Sequence, residues 1–191
     1  MPAGIQGIMQ RESARITNQA DSRLLHKAAD TLSNTNPTPK MPQLDHLIFL
    51  VPHALLTSLP PSLTYPFTIT PGGTHVDGLT ENKLIILPSG TYIELIAFVP
   101  EAPPPRSPHW WADKRSGWID WALTSPGGSA DVQHVRERLA GLDAGVGYAP
   151  PVAGGRTRPD GVGVRWEVTF PTGAARGAVP FWCHDVTPRE G

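Results

Sequence analysis

The sequence predicts an α+β fold of two tandem βαβββ modules. Three observations carry this expectation. The chain has 22 Pro and 19 Gly among 191 residues, which disfavours a helix bundle and favours short strands joined by many turns. The order strand, helix, strand, strand, strand can be traced twice. The motif GGTHVDG at Gly72 to Gly78 also returns as GGRTRPDG at Gly154 to Gly161, each time ahead of a strand, as a duplicated unit would show.

Residues 1–40 contain none of the chain's 5 Phe, 6 Trp and 3 Tyr and read as a disordered or weakly ordered extension. Leu24, Leu25, Ala28, Ala29 and Leu32 have helical spacing, but one amphipathic turn is marginal without a packing partner. Residues 41–191 then form the domain: module one over about 44–100, a linker over about 101–117 and module two over about 118–188.

In module one, LDHLIFLVP from Leu44 is a continuous run of strand formers closed by proline, as in a buried strand. ALLTSLPPSL offers only a short, proline-damaged helix. FTIT from Phe67, NKLIILP from Asn82 and TYIELIAFVP from Thr91 supply three further strands, punctuated by PGG and PSG turns.

EAPPPRSP reads as a stiff spacer leading into module two. There WIDWALTSP matches the first strand in length and ending. Ser129 is an expected N-cap for a helix in which Val132, Val135, Leu139 and Leu142 recur at helical spacing until Gly145. YAPPV, VGVRWEVTFP and VPFWCHDV complete the unit as strands.

Composition narrows the function. With 16 Lys+Arg against 17 Asp+Glu, a net charge of −1, the chain lacks the basic footprint of nucleic-acid binding. No apolar window approaches a membrane span, and no secretory core is visible. A single cysteine, Cys183, precludes an internal disulfide and suits a reducing, cytoplasmic setting. The first forty residues hold three Arg and two Lys, so a mitochondrial presequence is the alternative, weakened by Glu12, Asp21 and Asp30. P-loop, dinucleotide, nucleophile-elbow and HExxH signatures are missing. The expected partner is a small molecule.

Taken in order, LDHLIFLVP, TPGGTHVDGLTENKLIIL, the YIEL strand and GGRTRPDG resemble the glyoxalase-like domain family of the vicinal-oxygen-chelate superfamily, from about Leu44 to Asp185. The resemblance implies that the two modules form a curved half-barrel sheet pair with a cleft between them, and that the cleft holds a ligand or a divalent metal (Zn, Ni, Fe or Mn). It further implies an enzyme, lyase or isomerase, that acts on vicinal-oxygen substrates through an enediolate-type intermediate. Metal-free binding proteins of the bleomycin-resistance type and extradiol-type dioxygenases share the scaffold, so those readings stay open. A homodimer is implied by analogy. Relatives can continue past Arg189, so an incomplete, inactive cleft is a further expectation.

In the superfamily pattern the first and last strand of each unit supply metal ligands, and His46 and Glu94 match those positions in module one. Strand alternation puts His46 on one face with Ile48 and Leu50. Glu94, set among Ile93, Leu95 and Ile96, would be costly to bury without a cation, donors or a proton, and it is the expected proton-transfer group. In module two, counting back from the terminal proline selects Asp120; aligning on Asp45 instead would select Trp121, which cannot ligate. VPFWCHDV offers His184, flanked by Cys183 and Asp185. A core histidine bonded to a backbone carbonyl is the competing reading of His46.

His75 could act as a general acid or base, or merely shape its turn. Arg156 and Arg158 could grip an acidic group bidentately, or belong to a solvated loop. Arg165 and Glu167 face away from the apolar side of VGVRWEVTF and line the cleft if that polar side turns inward; a surface ion pair is the alternative. Trp121, with Trp110, Trp111 and Trp118, could stack on substrate, or simply pack the linker.

Overall fold

In the computed structural model the described residues are 41–100 and 109–189; the expected extension over 1–40 and the spacer at 101–108 lie outside them. Among the described residues the elements are β1 (Gln43–Leu50), α1 (His53–Thr57), α2 (Pro61–Thr64), β2 (Thr70–His75), β3 (Thr80–Ile86), β4 (Tyr92–Phe98), β5 (Gly117–Thr124), α3 (Ser129–Leu142), β6 (Gly147–Tyr148), β7 (Val152–Thr157), β8 (Gly163–Thr169), β9 (Pro171–Thr172) and β10 (Phe181–Asp185). The mixed, mostly stranded fold is as expected. Its closure is not: eight strands form a barrel in the order β1-β4-β3-β2-β7-β8-β10-β5. Pairings of β1 with β5 and β2 with β7 seal what two facing sheets would have left open.

Alternation along β1 sorts the core. Ile48 and Leu50 join Ile96, Trp111, Ile119, Ala122, Val168, Phe181 and Cys183 inside the barrel. Phe49 and Val51 point outward, onto a second cluster with Leu56, Ile85, Leu95 and Leu63 under the two short helices. Pro60 and Pro61 divide the first crossover into those helices, because proline fits a first helical turn and breaks an interior one.

The second half of the barrel departs from expectation in detail. The strand paired with β8 is Val152–Thr157, not YAPPV, whose Tyr148 joins the separate β6–β9 pair. Gly128 takes the N-cap position of α3, and Ser129 Oγ donates to Glu167 Oε2 at 2.5 Å instead of capping. The helix ends at left-handed Asp143 (φ 48°), not at Gly145.

The expected PGG turn lies inside β2, and the reason is steric. A Cβ on Gly72 would fall 1.9 Å from Asn82 Oδ1, and one on Gly73 (φ 153°) would fall 2.0 Å from the Thr157 carbonyl oxygen. The glycine pair therefore admits the Asn82 side chain on one flank and strand β7 on the other. In the second copy of the motif, a Cβ on Gly154 would fall 2.3 Å from Trp166 Nε1.

Candidate functional site

Parallel pairing of β1 with β4 sets Ile48 opposite Glu94 and His46 opposite Tyr92, so residues 46 and 94 share the barrel interior. His46 is 3% exposed and Glu94 6%. The His46 Nδ1–H donates to Asp45 Oδ1 at 2.6 Å. Asp45 reaches the interior because the β1–β5 register shifts between Leu44 and His46. Burial pushes the Asp45 carboxyl up, but the hydrogen bond and charge of His46, with the charge and hydrogen bond of Arg189, outweigh it and leave it below its usual range. With Nδ1–H given to an ionised acceptor, the neutral form of the ring carries its lone pair on Nε2. Nε2 faces Glu94 Oε2 at 3.7 Å.

The other oxygen of Glu94 is served from β2 and β3. Asn82 Nδ2 donates to Glu94 Oε1 at 2.6 Å, while the Gly73 amide donates to Asn82 Oδ1 at 3.1 Å and so fixes which way the amide points. His75 Nε2 stands 3.6 Å from the same Oε1, and Asn82 Nδ2 stands 3.5 Å from that nitrogen. His75 Nδ1 bonds to Thr80 Oγ1 at 2.6 Å. Two imidazole nitrogens thus approach one carboxylate from opposite oxygens, too far for hydrogen bonds.

Tyr92 stacks on His46 with ring centroids 4.6 Å apart, and Phe181 meets it edge-on at 5.5 Å. Burial first, then the nearby charges of Cys183, Asp45 and Glu94, keep the Tyr92 hydroxyl protonated well above its ordinary range. Trp166 meets His75 edge-on at 5.7 Å.

The donor chemistry fits a divalent ion between His46 Nε2 and Glu94 Oε2, whose 3.7 Å separation lies within the span of two metal–ligand bonds of about 2.1 Å each; His75 Nε2 stands by the other carboxylate oxygen. Asp45, His46 and Cys183 also lie close together, but this trio does not fit. Both Asp45 oxygens are engaged by His46 and Arg189, and burial, with the charges of Asp45, Asp185 and Glu94, holds the Cys183 thiol protonated.

Asp120 and His184 do not join this cluster. Asp120 is buried, but its Oδ2 accepts from Trp111 Nε1 at 2.8 Å, its Oδ1 from the Trp121 amide at 2.9 Å, and Arg176 Nε lies 3.6 Å away. His184 sits on the outer face of β10, where Nε2 meets Ser125 Oγ at 3.2 Å and Trp182 stacks on the ring. Its neighbour Cys183 takes the interior position, because a one-residue change of phase moves a strand residue to the opposite face.

Among the expected substrate-binding residues, Arg156 lies opposite His75 on the interior face, 5.9 Å from the Trp166 ring, with its Nε buried and unbonded. Arg158 pairs with Asp160 at 2.7 Å on the surface. The polar side of β8 turns outward: Arg165 is exposed and Glu167 binds Ser129, so neither lines the interior. Trp121 lies opposite outward-facing Leu47, and with Trp118, Lys114 and Arg176 it lines an outer groove of about 580 Å³.

Sequence reasoning missed Asp45, Asn82 and Thr80. Asp45 is adjacent to His46 in LDHL, and Asn82 alternates with Thr80 and Leu84 on β3. β3 opens with four polar residues, Thr80, Glu81, Asn82 and Lys83, ahead of apolar LII, and the alternation that puts Thr80 and Asn82 on the face of Leu84 was the available signal.

Among curated sequences none matches the chain significantly. A hypothetical protein from Staphylococcus aureus superposes with a TM-score of 0.59 over 78% of this chain at 18% identity, and this chain spans 60% of that protein's length. A hypothetical protein from Bacillus halodurans C-125 gives 0.54 over 80% of this chain and all of its own, also at 18% identity. Methylmalonyl-CoA epimerase from Mycobacterium tuberculosis gives 0.46 over 74% of this chain and 85% of its own, at 18% identity. Likeness at such identities speaks for the fold alone. No helix among the described residues is long and apolar enough to cross a membrane. The family profile described as glyoxalase-like domain matches residues 44–190, and the chain belongs to that family.

Proposed function

We propose that the chain is a metal-dependent, glyoxalase-like enzyme that binds a small molecule with neighbouring oxygen atoms in its barrel and moves a proton on it. The observation that carries this reading is the Asp45–His46 pair turned toward Glu94. With Nδ1–H committed to Asp45, Nε2 points at a carboxylate oxygen 3.7 Å away, and a cation between a neutral imidazole and that carboxylate would satisfy both. Zn, Ni, Fe or Mn held by His46 and Glu94 would supply electrophilic polarisation of the substrate's oxygens.

The chain's own residues account for the rest. Asn82 keeps one Glu94 oxygen occupied and orients the other toward His46. His75, the less buried of the two histidines, can exchange a proton between Glu94 and the barrel edge while Thr80 holds its far nitrogen. Arg156, on the same interior face, offers a free N–H to an acidic substrate group. The strand orders β1-β4-β3-β2 and β5-β10-β8-β7 correspond one to one, which supports reading the barrel as a duplicated βαβββ unit.

The test is titration of metal-free protein with Zn, Ni, Mn and Fe ions by calorimetry. Wild type is expected to bind about one equivalent, and His46→Ala and Glu94→Gln to bind at least a hundredfold more weakly. A wild type that binds none of these ions overturns the metal-dependent reading. If that protein still takes up aromatic ligands, the sequestration reading replaces it, supported by the aromatic cluster of Trp111, Trp166, Phe170 and Phe181.

A further inference from the structure

The carboxylate that holds His46 is itself held from the far end of the chain. Arg189 Nη2 donates to Asp45 Oδ2 at 2.5 Å, across 144 positions of sequence. Its Nε pairs with Asp185, and Nη1 lies 3.5 Å from the Gly90 carbonyl oxygen. The same guanidinium lies 5.4 Å from the centre of the Tyr92 ring, and that ring stacks on His46. One side chain therefore touches both groups that bound the imidazole: the carboxylate on Nδ1 and the phenol on its face.

The path that brings Arg189 there is also built. The Val186 and Thr187 amides both donate to the Arg165 carbonyl oxygen at 3.0 Å, and the Arg165 amide donates to Thr187 Oγ1 at 3.0 Å. Arg165, expected from sequence to contact substrate, instead moors this segment through its backbone. The Asp45 side chain is fully buried while that of Arg189 is 42% exposed. A cation at the protein's edge thus engages an interior carboxylate, and Arg189 is the only Lys or Arg paired with Asp45 among the described residues. Removing it would leave Oδ2 without its partner and free the carboxylate to turn from the ring.

We propose that Arg189 is a positioning residue: by anchoring Asp45 Oδ2 and covering Tyr92, it holds the His46 ring with its Nε2 toward Glu94, so that docking of residues 186–189 governs the site. This rests on the reading of His46 and Glu94 given under Proposed function. A docked segment keeps the ring poised, and a released one lets it reorient.

The experiment uses full-length, metal-free protein and its Arg189→Lys, Arg189→Met and Thr187→Ala variants. Nitrogen NMR of the His46 ring reports which nitrogen carries the proton and how fast that proton exchanges; zinc binding by calorimetry is the second reading. Wild type is expected to show a slowly exchanging Nδ1–H. Arg189→Met should accelerate its exchange and mix the tautomers, with zinc binding about tenfold weaker, and Arg189→Lys should fall between. Thr187→Ala, which loosens the mooring without touching Asp45, should shift the His46 signals in the same direction as Arg189→Met. Wild-type signals in folded Arg189→Met overturn the proposal. If that variant does not fold, unchanged His46 signals in Thr187→Ala overturn it. A wild type with the expected tautomer and no zinc binding overturns the metal reading while supporting the positioning role.

Discussion

Asn82 and Glu94 share a 2.6 Å hydrogen bond between side chains that are almost wholly buried. The bond supplies the donor that an interior carboxylate needs, and it comes from the strand next to β4 in the barrel. Removing it leaves Oε1 without that donor, so Asn82→Ala is expected to cost about 1–3 kcal/mol. Asn82→Asp sets one carboxylate against another and should cost more at pH 7 than at pH 4, where a shared proton relieves the pair. Urea unfolding at the two pH values checks both.

Gly72→Ala should act on the same carboxylate at one remove. The new Cβ would fall 1.9 Å from Asn82 Oδ1 and 2.4 Å from the Asn82 carbonyl oxygen, and a backbone atom cannot step aside cheaply. A destabilisation of about 1–3 kcal/mol is expected, together with weakened metal binding as Asn82 is displaced. Thermal unfolding and zinc titration measure the two effects.

Cys183 lies close to the site without serving it. Burial, aided by the charges of Asp45, Asp185 and Glu94, keeps its thiol protonated well above the ordinary range. A thiol reagent should therefore modify the protein only after unfolding. Cys183→Ala should bind the same number of zinc ions as wild type, and loss of an equivalent would return Cys183 to the ligand set.

His184 and His109 both have pKa values depressed below 6.5, chiefly by burial, although nearby carboxylates partly oppose it. The unfolded chain therefore takes up protons first as pH falls. The contribution of these neutral rings is complete above about pH 6.5 and is lost as pH drops through and below that value toward the folded pKa. The urea midpoint should decline from pH 7 to pH 5, and His184→Gln should flatten that decline. A profile in which the variant falls as steeply as wild type would remove His184 as a contributor.

Much of the first half of the fold was legible because its signals are local. The alternation in LDHLIFLVP separates His46, Ile48 and Leu50 from Phe49 and Val51, and the structure has the same separation. In the second half the same counting went out of phase. VPFWCHDV does not say where β10 begins, and one residue decides whether Cys183 or His184 looks inward. On β8 the apolar side won the interior because Trp166, Val168 and Phe170 pack there, while Glu167 found Ser129 on the outside.

Strand content, the prolines that cut the first crossover and the glycine pairs that let neighbouring strands close in are properties of short stretches, and they were written in the order of residues. The meeting of Asp45 with Arg189, of Asn82 with Glu94, and the closure of β2 on β7 were not. These contacts join segments brought together by barrel closure, whose register depends on the packing of the whole interior rather than on the preferences of any one segment.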